Sequence, residues 1–185
     1  AWLTPLAALC LVAVQVLAFD SVAAMLDGLR KGDIDIVPFL TQTPSRSREF
    51  DFSAAYVEMP YMLVARSDAP QYWDLNSLRG KTLALAAQHP LREFLAVSYP
   101  EIRILEAEAG TGAMDLVVGG IADAAVEVKL FANLRLNAPD GERLRIVSEV
   151  QELPAQFHFA TTKATRAMLP LVNRALADID PADRQ

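Results

Sequence analysis

The chain has 185 residues, of which 52% are hydrophobic and 22% are charged, so it can bury a core without a metal or a disulfide. Its formal net charge is -6 and it has no run of Lys or Arg, which argues against a surface built for nucleic acid or anionic lipid. Cys10 is the single cysteine, so no internal disulfide and no thiolate metal site can form. We expect no cofactor.

The first 19 residues carry no charge, and this segment could be taken for a membrane span or a signal peptide. No basic residue precedes the apolar stretch, and no polar region with a clear small-residue cleavage site follows it. The pattern therefore predicts a buried helix over residues 5–11 and a strand over residues 12–19.

A capped helix is predicted next, followed by a strand. Asp20 and Ser21 can cap its start, and Gly32 ends it. The apolar residues that share one face of this helix are Val22, Met25, Leu26 and Leu29. The β-branched residues 33–39 then predict a strand, and the polar residues 41–45 predict a loop.

The same order of elements recurs later in the chain. Residues 111–118 predict a helix, Gly119 and Gly120 end it, and residues 122–128 predict a strand. Two similar units of this kind indicate two similar lobes.

Between these units the pattern is strand, helix, strand: residues 82–86, 90–97 and 102–105. Such a unit predicts parallel pairing with helices on the faces of the sheet, so the fold class is α/β. A strand over residues 155–161 follows, and then a helix that places Leu169, Val172 and Leu176 on one face.

Residues 32–68, GDIDIVPFLTQTPSRSREFDFSAAYVEMPYMLVARSD, resemble the type II periplasmic solute-binding proteins. The likeness lies in the strand, the Thr-x-Thr-x-x-Arg loop and the Asp-Phe-Ser-x-x-Tyr segment, and it extends from about residue 11 to the end. The resemblance implies a two-lobed Venus-flytrap fold in which each lobe is a mostly parallel sheet flanked by helices. Lobe 1 would hold residues 1–57 and 155–185, without the first strand of the family, and lobe 2 would hold residues 58–154.

Two details resemble the virulence-sensor histidine kinases with tandem flytrap domains: residues 89–94, HPLREF, and residues 179–185, IDPADRQ. The resemblance implies a periplasmic sensor domain that binds a small solute, with a membrane-anchored kinase region in the same polypeptide and a dimer as further expectations. Three alternatives remain open: a free binding protein of an amino-acid or organic-acid transporter, a dehydratase-type enzyme on the same fold, and an interaction domain held closed without ligand.

Arg46 is the strongest candidate for binding a ligand, because a guanidinium can hold a carboxylate through two parallel hydrogen bonds. The competing interpretation is a solvated loop arginine. By the resemblance, the hydroxyl of Thr41 and the backbone of Phe39 could also face the ligand, although both could equally serve in an ordinary turn.

On the second lobe the candidates are Gln88, His89 and Glu127. A histidine before a helix is more often a cap than a ligand contact. Amino-acid-binding members of the family place an aspartate where this chain has Val128, and Glu127 should point to the opposite face of the strand. Because valine cannot neutralise an ammonium group, we expect a carboxylate ligand without an amine.

The chain would cross between the lobes at residues 56–60 and 153–157, which makes Tyr56, Pro60 and Leu153 candidates for a hinge. The chain has only two histidines, His89 and His158, and the sequence shows no catalytic or metal-binding constellation. We therefore expect a binding domain and not an enzyme.

Overall fold

The computed structural model describes residues 14–107 and 112–179, except for the side chains of residues 153 and 154. The chain divides into two compact units. The first contains Ala1–Glu58 and Gln156–Gln185, and the second contains Met59–Ala155.

The described residues form strands and helices in alternation. The strands are β1 (Ile36–Thr41), β2 (Phe50–Phe52), β3 (Val57–Arg66), β4 (Thr82–Ala86), β5 (Arg103–Ala107), β6 (Ala124–Val128) and β7 (Leu144–Thr162). The α-helices are α1 (Val22–Lys31), α2 (Pro44–Glu49), α3 (Leu91–Ser98), α4 (Ala113–Val118), α5 (Lys129–Leu136) and α6 (Leu169–Ala177). Short 3-10 turns lie at Asn76–Leu78, Gly141–Arg143 and Arg166–Met168.

Helix α1 begins and ends at the residues that the sequence indicates. The Ser21 hydroxyl accepts a hydrogen bond from the Ala24 amide at 3.1 Å, which satisfies one of the unpaired donors of the first turn. Gly32 closes the helix in the left-handed region, with φ of 79°. Both predicted ends of α1 are confirmed.

The prediction of a strand over residues 12–19 is wrong for residues 14–19, the part of this segment that the structure describes. Residues 14–19 have no strand structure, and the side chain of Val16 is 71% exposed. A strand forms when its backbone groups pair with a neighbour, and no described strand pairs with this segment. The ring of Phe19 instead lies against Gly28 of α1. The helix expected over residues 5–11 lies outside the described residues.

In the first unit, the end of β7 pairs with both β1 and β2. Ile36 of β1 lies opposite Thr161 and Phe50 of β2 lies opposite Thr162, both in antiparallel pairs. This differs from the mostly parallel pairing expected for each lobe, because the returning strand runs back along the two earlier strands. The buried core between this sheet and α1 consists of Leu26, Leu29, Val37, Leu40, Phe50 and Ala160.

In the second unit the strand order is β3-β6-β4-β5. Strand β4 runs parallel to both of its neighbours, and β3 closes the sheet with an antiparallel pairing to β6. Helix α3 connects β4 to β5 and α4 connects β5 to β6, as parallel strands require a crossover. The expected strand-helix-strand unit and the α/β class are confirmed.

A helix begins at Pro44, within the loop expected over residues 41–45, and only Gln42 and Thr43 lie outside both β1 and α2. Thr43 caps it by accepting a hydrogen bond from the Arg46 amide at 3.2 Å, and Pro44 occupies its first turn. Proline suits this position because its missing N–H would have no partner there. Helix α2 therefore carries Arg46 on a short rigid element.

Candidate functional site

Arg46 is buried and held in place by the end of β1. Only 8% of the surface of this residue is exposed. Its Nη1 atom donates to the Thr41 carbonyl at 2.8 Å and to the Thr41 hydroxyl at 2.6 Å. A solvated loop arginine would show neither the burial nor these two bonds. The structure thus brings Arg46 and Thr41 together and fixes the orientation of the guanidinium.

Phe39 has an unusual backbone conformation at the same strand. Its φ is 62°, in the left-handed region that costs a non-glycine residue about 1–3 kcal/mol. The register between β1 and β7 shifts between Val37 and Leu40, so the distortion interrupts the ladder at Phe39. The Phe39 ring is stacked on Phe157 of β7, with centroids 3.7 Å apart. Strain of this kind, kept by close packing, is typical of functional positions.

Tyr56 links this distorted segment to the return strand. Its amide donates to the Phe157 carbonyl at 3.0 Å, and its ring lies 5.0 Å from that of Phe159. Burial raises the pKa of the Tyr56 hydroxyl, and a hydrogen bond from the Phe39 backbone partly offsets this rise. Thr41, Phe39, Arg46 and Tyr56 therefore belong to one connected region of the first unit.

His89 lies two residues before the first residue of helix α3 in the second unit. It is 8% exposed, and its Nδ1 atom accepts a hydrogen bond from the Leu91 amide at 3.2 Å, which requires that nitrogen to be unprotonated. Its ring lies 5.1 Å from the ring of Tyr61 on β3. The preceding residue, Gln88, is exposed and has φ of 58°. His89 therefore caps a helix and also contacts an aromatic side chain of the sheet.

Val128 lies opposite Tyr61 in the antiparallel pairing of β3 and β6. Both residues are buried, Val128 with 6% of its surface exposed. The position where the resemblance expects an aspartate is therefore next to an aromatic ring that itself contacts His89. The sequence pattern gives only a weak indication of a role for Tyr61 at this position. A buried tyrosine in a strand is usually part of the core.

Glu127 lies on the other face of β6. It pairs in register with Met62, and its Oε1 atom accepts a hydrogen bond from the Val128 amide at 2.9 Å. Burial raises the pKa of this carboxyl, and the hydrogen bond from Val128 offsets part of the rise. Since successive residues of a strand point to opposite faces, the structure does not bring Glu127 together with Tyr61 and His89.

The three hinge candidates lie close to the boundaries between the units. The first boundary falls between Glu58 and Met59, where Tyr56 is the third residue before it and Pro60 is the second residue after it. The second falls between Ala155 and Gln156, shortly after Leu153 in β7. The Gln156 side chain donates to the Glu58 carboxylate at 2.9 Å, which joins the two connecting strands at this point.

Among residues 14–107 and 112–179 there is no group of three or more His, Cys, Asp or Glu side chains that could hold a metal ion. No helix in the same part of the chain has the length and the apolar character needed to span a membrane.

Comparison with known proteins places these elements in a family. The model of the bacterial extracellular solute-binding proteins, family 3, matches residues 6–184. The chain is 30% identical over 165 residues to the virulence sensor protein BvgS of Bordetella bronchiseptica, a match that covers 89% of this chain and 13% of that protein. It is also 24% identical over 164 residues to ABC transporter arginine-binding protein 1 of Escherichia coli, covering 88% of this chain and 66% of that protein.

A solved structure supports the same assignment. The crystal structure of the periplasmic VFT2 domain of Bordetella pertussis BvgS superposes with a TM-score of 0.89 at 27% identity, covering 98% of this chain and 77% of that chain. The periplasmic-binding-protein-like fold and the resemblance to virulence-sensor domains are thereby confirmed. The chain belongs to the bacterial extracellular solute-binding proteins, family 3.

Proposed function

We propose that this chain is the periplasmic ligand-binding domain of a sensor, and that it binds a small carboxylate. In this proposal the two units are the lobes of a Venus flytrap, and the ligand lies between them. The observation that carries the proposal is the buried Arg46, whose Nη1 is bound by both oxygen atoms of Thr41. Membership of a solute-binding family supports a ligand-binding role for this arginine more strongly than its burial alone does.

The chemistry of Arg46 favours a carboxylate. A planar guanidinium matches the two oxygen atoms of a carboxylate, and an arginine whose orientation is already fixed loses little side-chain entropy on binding. Thr41 supplies that fixed orientation from β1, and Thr43 does so through the first turn of α2. We assign the distorted backbone at Phe39 to the surface that contacts the ligand together with Arg46.

The second unit supports a ligand without an amine. Val128 offers no charge at the position where amino-acid-binding members have an aspartate, and its neighbour across the sheet is Tyr61. With His89 beside Tyr61, this surface suits the aromatic or aliphatic part of an organic acid. Gln88 precedes His89, and we assign it a polar contact with the ligand at the rim of this surface. Glu127 is left out of the proposed contacts because it lies on the other face of β6.

Signalling in this proposal follows from closure of the lobes. A ligand that contacts both lobes stabilises the closed state, so its binding shifts the population toward closure. Tyr56, Pro60 and Leu153 are the proposed hinge residues, since each lies near a boundary between the units. The similarity to BvgS supports a kinase region in the same polypeptide as the receiver of this change.

A second candidate is a free binding protein that delivers its solute to a transporter. The similarity to the arginine-binding protein of an ABC transporter favours it. Both candidates share the fold and the mode of binding. The full-length gene separates them, because a membrane-spanning segment and a kinase after this domain would support the sensor.

The proposal can be tested with a thermal-shift screen followed by calorimetry. The purified domain is screened against small carboxylates, amino acids and polyamines, since a ligand that binds the native state raises the melting temperature. Each hit is repeated with Arg46→Ala. The matched control is Arg48→Ala, because Arg48 lies on the same helix and is exposed.

The expected result is a carboxylate that binds the parent chain and Arg48→Ala but not Arg46→Ala. Binding of amino acids without binding of simple carboxylates would contradict the choice of ligand. Equal binding by Arg46→Ala and the parent chain would contradict the role of Arg46.

A further inference from the structure

A cavity of about 430 Å³ opens at the surface of the second unit, away from the surface formed by Tyr61, His89 and Val128. It is lined by residues 66–68, residues 118–120 and Arg143. Arg66 is the last residue of β3, and Tyr61 lies five residues earlier on the same strand. At the rise of an extended strand this separation is about 17 Å. The cavity and the Tyr61 surface are therefore different places on one unit.

Two arginines line this cavity, and each is anchored by one bond. The Nε atom of Arg66 donates to the Asp68 carboxylate at 3.0 Å, and the Nη2 atom of Arg143 donates to the Val118 carbonyl at 2.9 Å. Within the described part of the chain, the Nη atoms of Arg66 and the Nε and Nη1 atoms of Arg143 have no protein acceptor. The cavity thus presents guanidinium donors whose side chains are already positioned.

The local charge is positive although the chain is acidic overall. The charged residues that line the cavity are two arginines and one aspartate, Asp68, whereas the net charge of the chain is -6. Asp140 is also close enough to Arg143 to be affected by its charge, but its carboxylate is bound by Arg135 at 2.6 and 3.0 Å. The positive charge at the cavity is therefore a local feature, because the chain as a whole is negatively charged.

Gly120 lies beside Arg66 in the turn after α4. Its φ is 72°, and a Cβ atom there would lie 3.4 Å from Nη1 of Arg66. A side chain at this position would be strained by the left-handed backbone, and its Cβ atom would make ordinary van der Waals contact with the guanidinium. The left-handed backbone of the turn after α4 therefore favours glycine at this position, and the turn leaves the cavity open.

We propose that the cavity between Arg66, Arg143 and the turn at residues 118–120 binds a small oxyanion, a phosphate or a carboxylate group, independently of the ligand held by Arg46. Guanidinium groups bind both kinds of anion through charge-assisted hydrogen bonds. The volume of about 430 Å³ accommodates a free inorganic ion such as phosphate and also a small organic acid, so either can supply the oxyanion.

The test is calorimetry at constant ionic strength with inorganic phosphate and, separately, with succinate. Saturable binding of either anion is expected, weakened about tenfold or more by Arg66→Gln and by Arg143→Gln through the loss of a charge-assisted hydrogen bond. Asp68→Asn should bind more tightly, because the competing carboxylate is removed. Arg79→Gln is the control, since Arg79 pairs with Glu101 elsewhere on the surface.

The two probes distinguish the source of the anion: preference for phosphate indicates an inorganic ion, and preference for succinate indicates an organic acid. An anion held at the Arg46 site would bind equally well to Arg66→Gln and Arg143→Gln, and that outcome would overturn the proposal. Absence of saturable binding of both probes, or equal binding by Arg66→Gln, would overturn it as well. If Arg143→Gln does not fold, Arg66→Gln and Asp68→Asn decide the question.

Discussion

Arg46 and Thr41 are joined by two hydrogen bonds from one nitrogen atom, one to the threonine carbonyl and one to its hydroxyl. The first bond connects the guanidinium to the backbone of β1 and would survive most substitutions of Thr41. The second depends on the side chain alone. The pair therefore allows the hydroxyl to be removed while the strand and the arginine remain.

Thr41→Val should lower the free energy of unfolding by about 1.5–3 kcal/mol, because a buried guanidinium loses a charge-assisted hydrogen bond. It should also weaken binding of the carboxylate found in the screen, since the guanidinium is less firmly oriented. Urea denaturation and calorimetry measure the two effects. Thr41→Ser keeps the hydroxyl and should restore both quantities, whereas unchanged stability of Thr41→Val would show that the hydroxyl bond is not stabilising.

Glu127 should make the chain less stable as the pH rises. Burial raises the pKa of its carboxyl above the ordinary value of 4.5. Between pH 4.5 and the raised pKa, the folded chain binds more protons than the unfolded chain, so the free energy of unfolding falls with increasing pH. Glu127→Gln keeps an acceptor for the Val128 amide and should remove this loss.

The measurement is denaturation of Glu127→Gln and the parent chain at pH 4 and at pH 7, roughly on either side of the window set by the ordinary glutamate pKa. The variant should be the more stable at the higher pH, with a smaller difference at the lower pH. Glu149→Gln is the control because Glu149 is exposed on β7. An equal effect of the two substitutions would contradict a special environment for Glu127.

Gly32 should be sensitive to substitution through its backbone alone. Its φ is 79°, and a Cβ atom there would meet nothing within 4 Å. Gly32→Ala should therefore cost about 1 kcal/mol by strain and not by collision. Gly32→Asn should cost less, since asparagine tolerates the left-handed region better. Thermal unfolding shows whether the two variants follow this order; equal losses would point to a different cause.

The elements predicted correctly from the sequence are those with local signals at both ends. Ser21 and Gly32 mark α1, and strand β4 coincides with the predicted residues 82–86. The sequence pattern predicts a loop where α2 begins, although Thr43 and Pro44 form an ordinary helix start, because the polar residues around them also fit a loop. The full length of β7, from Leu144 to Thr162, depends on pairing with distant strands, which no local pattern contains.

The sequence indicates which residue types are candidates for the site but not the contacts that they make. Arg46 was selected because arginine suits a carboxylate, but its bond to Thr41 requires α2 to turn the chain back toward β1. The left-handed backbone of Phe39 could not be foreseen, since phenylalanine normally avoids that region. Strand alternation did separate Glu127 from Val128 correctly, because a period of two needs no tertiary information.

Val128 should control whether an ammonium group can be bound. Val128→Asp places a carboxylate opposite Tyr61 and should tighten binding of α-amino acids about tenfold or more over the parent chain, by adding a charge-assisted hydrogen bond. The same substitution should destabilise the free domain, because the residue is 6% exposed and a buried charge without a partner is unfavourable. Calorimetry with an amino acid and thermal unfolding measure the two effects. Val128→Asn is similar in shape but uncharged, so it should not gain amino-acid binding. A gain in both variants, or in neither, would show that the charge at this position does not decide which ligand is bound.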